Sequence, residues 1–138
     1  MPIVDPTKFT PDLAQGGFVG SVRIDARNAV VFVRSPHGNI EAAWDNAERV
    51  LSCLCDEMPS VEQAVRELFS RLGRPNEDTP GGRRRIERLL GRLAESDVTC
   101  TIYDDKASVY FDAPRLTDHC IEVQFGQGGT LALATLAG

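Results

Sequence analysis

The feature that most constrains this chain is strict alternation near its C-terminus. Val98, Cys100 and Ile102 alternate with Thr99, Thr101 and Tyr103; Val109 and Phe111 alternate with Ser108, Tyr110 and Asp112. His119, Ile121, Val123 and Phe125 alternate with Cys120, Glu122 and Gln124. A period of two means strands buried on one face only. The expected strands are Asp97–Tyr103, Ala107–Asp112, His119–Phe125 and Thr130–Leu136. Asp104-Asp105-Lys106 and Gly126-Gln127-Gly128-Gly129 fall where tight turns are required. Four strands joined this way form an antiparallel meander, and the upstream chain must cover its apolar face.

Upstream, Pro2, Pro6 and Pro11 predict an extended lead-in, with an edge strand near Lys8–Thr10. Gly16–Ile24 and Ala29–Arg34 read as two strands around a turn at Asp25-Ala26-Arg27-Asn28. The run Val30-Val31-Phe32-Val33 predicts cover on both faces of the second strand. Asn39 is a helix N-cap, and Ile40, Ala43, Trp44, Ala47, Leu51 and Leu54 form a helical stripe that ends before Pro59. Ser60 and Gln63 look like a capping box for a second helix, with Val61, Ala64, Val65, Leu68, Phe69 and Leu72 on its apolar side. After a loop over Gly73–Gly82, a third helix, about Arg83–Glu95, packs through Ile86, Leu89, Leu90 and Leu93. The order is ββ–ααα–ββββ. Segregated strands and helices predict an α+β fold, an antiparallel sheet with helices packed on one face, in a single domain over residues 1–138.

Composition narrows the function. A net charge of -5 argues against nucleic-acid binding, because phosphate contacts need a basic surface, and leaves room for a basic protein partner. No apolar run approaches the roughly 20 residues of a membrane span. Met1-Pro2-Ile3-Val4-Asp5 has neither the basic nor the apolar region of a secretory signal, and the expectation is a cytoplasmic protein. The four cysteines contain no CxxC. Cys53 and Cys55 lie about 200° apart on one helix and cannot share an ion. With Cys100 and Cys120 they read as reduced structural thiols, so no metal and no cofactor are expected.

Candidate contacts come from two places. Glu41, Asp45 and Glu48 share one side of the first helix and form an acidic face suited to a basic partner. Tyr103, Tyr110, Glu122 and Gln124, with neighbouring threonines and Ser108, form a polar-aromatic plane on the outward side of the sheet. The third helix carries Arg83, Arg84, Arg85, Arg88 and Arg92 against Glu87, and reads as a solvated face. His119 is expected in the core beside Ile121. The rival reading is a small enzyme or ligand-binding domain using His119 with Glu122 or Asp118.

The tail His119-Cys120-Ile121-Glu122-Val123, Gly129-Thr130-Leu131 and Ala134-Thr135-Leu136-Ala137-Gly138 resembles the C-terminal motif of the bacterial domain-of-unknown-function 2262 family. Phe9, Asp12-Leu13 and Gly17–Val22 look like its opening hairpin, and Glu95-Ser96-Asp97-Val98 like its strand entry after the helices. The resemblance implies a small bacterial α+β protein of the kind found as immunity proteins beside toxins, and carries no established activity over to any residue. Together with the acidic charge, it makes a non-catalytic, toxin-neutralising immunity protein the leading expectation. A phage-encoded inhibitor of bacterial defence is an alternative built on the same surface physics.

Overall fold

The computed structural model describes residues 2–138. The lead-in forms a 3-10 turn over Pro6–Lys8 and a two-residue strand β1, Thr10–Pro11. Strands β2 (Phe18–Ile24) and β3 (Arg27–Val33) follow, then helices α1 (Ile40–Asp56), α2 (Met58–Leu72) and α3 (Pro80–Glu95). Strands β4 (Val98–Ile102), β5 (Ala107–Leu116), β6 (His119–Phe125) and β7 (Leu131–Ala137) complete one seven-stranded sheet in sequential order.

The α+β class holds, but the sheet is mixed. Strand β3 runs parallel to β4, with Ala29 opposite Val98 and Val33 opposite Ile102, while every other neighbouring pair is antiparallel. A parallel pair cannot be joined by a hairpin and needs a crossover. Here the crossover is all three helices, which return the chain to the end of the sheet where β3 began.

The burial alternation shows that the helices lie against one face. In β3, Ala29, Val31 and Val33 are fully buried while Asn28 and Val30 are exposed. Val98, Cys100, Ile102, Val109, Phe111, Ile121, Val123 and Phe125 continue the inner face. Ala47, Leu51, Val65, Phe69, Leu90 and Leu93 pack on them from the helices. The expected cover on both sides of Val30–Val33 is absent; Val30 is 38% exposed and Phe32 is half-buried.

Helix ends follow the chain's capping chemistry, with three changes from expectation. Asn39 caps α1 by accepting from the Ala42 N–H. Pro59 lies in the first turn of α2 rather than ending α1, because a missing N–H costs nothing there; Ser60 and Gln63 form no cap. Pro80, Gly81 and Gly82 belong to α3, capped by Thr79 Oγ1 accepting from Gly82 N–H at 3.0 Å. Strand β5 runs on to Leu116 through an irregularity after Phe111.

Two buried polar residues lock the layers together. Arg27 is 5% exposed and donates to the carbonyls of Leu93 and Ala94, so a cation sits on the negative end of α3. Burial lowers its pKa, opposed by Asp25, Cys100 and Asp97. Asn46 donates to the Tyr103 carbonyl at 2.8 Å, tying α1 to the end of β4.

Candidate functional site

The residues expected to meet a partner fall on opposite sides of the molecule. On the sheet's uncovered face, the register aligns Ser21, Val30, Thr99, Tyr110, Glu122 and Thr135 across six strands. The neighbouring row is Val19, Phe32, Thr101, Ser108, Gln124 and Leu133. Tyr103 follows Thr101 on this side, with the Lys106 ammonium 5.6 Å from its ring centre. Tyr103, Tyr110, Glu122 and Gln124 therefore share one surface. Glu122 is its polar hub: it accepts from Ser108 Oγ at 2.8 Å and from Gln124 Nε2 at 3.4 Å. Burial, then the neighbouring Glu122 charge, raises the Tyr110 pKa, partly offset by a hydrogen bond with Ser108.

This surface mixes apolar and polar groups. Val30 and the half-buried Phe32 and Val19 form an apolar patch on β2 and β3, while Leu133, 44% exposed, stands apart on β7 beyond Thr101, Ser108 and Gln124. Arg34 covers Phe32, its guanidinium 5.5 Å from the ring centre.

The acidic helix face is smaller than expected. Glu41 and Asp45 are exposed on α1, in the helical layer and away from the tyrosine plane. Glu48 is half-buried and already committed. Its carboxylate accepts from Ile3 N–H at 3.0 Å and Val4 N–H at 2.9 Å, and from Ser52 Oγ at 3.3 Å. Two backbone donors on one carboxylate pin the lead-in against α1, next to Phe9, which meets Trp44 edge-on with ring centres 5.0 Å apart. The expectation that all three acids are free to meet a partner is corrected for Glu48. Its backbone partners lie 44 and 45 residues away, beyond the reach of helical spacing.

His119 is not a core residue. It is half-buried at the last rung of the β5–β6 ladder, opposite Leu116, and has no side-chain hydrogen bond among the described residues. Alternation puts it on the inner side and Glu122 on the outer. Asp118 is a turn residue with φ 66°. Neither carboxylate is hydrogen-bonded to the imidazole. The best-formed pocket, about 240 Å³, lies nearby between Leu72, Arg74, Pro75, Arg85, Leu116, Thr117 and Leu136. Its lining includes two guanidinium groups and one hydroxyl but no carboxylate, imidazole or thiol.

The four cysteines are unpaired. Cys53 and Cys100 are buried; burial pushes the first thiol up to about 11 and the second to about 12. Cys55 and Cys120 are half-buried.

One cluster was hidden in the sequence because its members sit in different turns. His37, between β3 and α1, meets Asp104 and Asp105, between β4 and β5, with one candidate donor atom from each residue mutually within 4.8 Å. The paired carboxylates read simply as turn residues, and no local spacing connects them to a histidine 67 residues away.

Among the described residues, no helix is long and apolar enough to cross a membrane. No protein-family model matches the chain, and comparison with curated proteins and with solved structures found no match.

Proposed function

We propose that this chain is a non-catalytic protein-binding domain that works through the uncovered sheet face, most concretely as a bacterial immunity protein that blocks a toxin by surface complementarity. The observation that carries the reading is the exposed plane itself. A sheet covered by helices on one side only leaves Val30, Phe32, Tyr103, Tyr110 and Leu133 on its open face, interleaved with Thr99, Thr101, Ser108, Glu122 and Gln124. Interfaces are enriched in such aromatic anchors, set among groups that can hydrogen-bond. The biological setting is taken from the tail's resemblance in sequence and from the acidic net charge.

Glu41 and Asp45 sit in the other layer, so in this reading they act at a distance. With a net charge of -5, they draw a basic partner in without touching it.

The test is co-expression with the product of each adjacent gene, scoring cell survival and complex formation by size exclusion. The reading expects one adjacent product to be toxic alone and silenced by this chain. Val30→Glu and Tyr110→Ala should fold normally, since both side chains point away from the core, yet bind at least about tenfold more weakly, as loss of a central anchor does. Protection by both variants equal to the unaltered protein would sink the assignment of the sheet face. Absence of any toxic or bound neighbour would sink the immunity reading.

A further inference from the structure

We propose that His37, Asp104 and Asp105 form a binding site for a divalent transition-metal ion, of the Mn²⁺ or Zn²⁺ class. Asp104 provides the decisive observation. It is 6% exposed, and its carboxylate is used on one side only. Oδ2 accepts from the backbone N–H of His37 at 3.0 Å and of Asn39 at 3.3 Å. Oδ1 is enclosed and has no hydrogen-bond partner among the described residues. A buried carboxylate oxygen without a partner is costly, and native proteins rarely leave one unless an ion or water completes it.

The other two donors stand where such an ion needs them. His37 Nε2 and Asp105 Oδ2 are 3.2 Å apart. Ligands bound at about 2.0–2.2 Å on adjacent corners of a tetrahedron or octahedron lie roughly 3.0–3.5 Å apart. The outer limit of the cluster, 4.8 Å, exceeds the span across such an ion by less than about 1 Å. That gap is within reach of a side-chain adjustment, because the His37 and Asp105 side chains are 68% and 47% exposed.

Charge and donor type set the ion. Two carboxylates carry two negative charges, which a divalent cation neutralises. The positive end of α1 opposes this with only about half a charge. The imidazole turns the set away from Mg²⁺ and Ca²⁺, which prefer all-oxygen shells, towards first-row transition ions. Three protein donors leave coordination positions open to water. The bound ion would clip the loop before α1 to the β4–β5 turn, directly behind Tyr103.

Isothermal titration of the reduced full chain with Mn²⁺, and absorption titration with Co²⁺ as a spectroscopic probe, test the site. The expected result is one ion per chain, a rise in melting temperature on binding, and a Co²⁺ spectrum without a thiolate charge-transfer band. His37→Ala and Asp105→Asn, both at exposed positions, should keep the metal-free melting temperature and lose affinity by about tenfold or more. The proposal is overturned if neither ion binds one-to-one, or if both variants bind like the unaltered protein. It also fails if Mg²⁺ binds equally well, or if the Co²⁺ band is that of a thiolate and disappears on replacing Cys55 or Cys120.

Discussion

Replacing Glu48 by alanine removes a clamp rather than a surface charge. Its carboxylate holds two backbone N–H groups at 3.0 and 2.9 Å. Hydrogen bonds to a charged group contribute about 1.5–3 kcal/mol each when buried, and the half-buried setting puts these at the low end. Two such bonds set a ceiling near 3 kcal/mol. The lead-in can also peel away and rehydrate its freed N–H groups, losing mainly the burial of Val4, whose side chain is worth about 1.5–2 kcal/mol. The expected cost for Glu48→Ala is therefore about 2 kcal/mol. For a chain of this size that lowers the melting temperature by roughly 6–10 °C. Glu48→Gln keeps one acceptor oxygen, loses the charge, and should cost about half as much. Thermal unfolding gives the magnitude, and hydrogen exchange gives the location: the Ile3 and Val4 amides should exchange slowly in the unaltered protein and fast in Glu48→Ala. A melting temperature within about 2 °C of the unaltered protein, with both amides unprotected from the start, would refute the clamp and return Glu48 to the surface.

Three other outcomes follow from local geometry. Gly20 lies beneath Phe9, and a Cβ there would come within 2.8 Å of the ring; Gly20→Ala should cost about 1–3 kcal/mol and alter Trp44 fluorescence, and an unchanged spectrum and melting temperature would contradict that packing. Cys100 holds its proton in the folded state up to about pH 12 against an ordinary 9.0, because it is buried, so the unfolded chain ionises first as pH rises. The contribution of Cys100 to stability is intact below pH 9 and is lost between 9 and about 12, and Cys100→Ala should flatten that part of the alkaline limb in denaturant titrations. His119→Ala removes a half-buried, unpaired ring and should cost less than about 1 kcal/mol; a loss of 2–3 kcal/mol would restore it to the core.

What the sequence determined by itself was periodic. Alternation in β4, β5 and β6 assigned Val98, Val109, Ile121 and their neighbours to one face, and the helical stripes of α1, α2 and α3 named most of the core. These patterns repeat within one element, so each can be read without its neighbours. They also placed Tyr103, Tyr110, Glu122 and Gln124 on a common outward plane. Tertiary structure decided whatever depends on two distant segments meeting. Alternation is the same for parallel and antiparallel strands, so only the path through three helices made β3 and β4 parallel. Val30 and Phe32 read as covered because their run is apolar, yet no layer was left to cover them. Glu48 looked free because a helix face says nothing about a lead-in 44 residues away. His119 looked buried because alternation gives the face but not where along the strand the packing stops. The His37–Asp104–Asp105 cluster joins two turns, and a turn has no period from which its partner can be read.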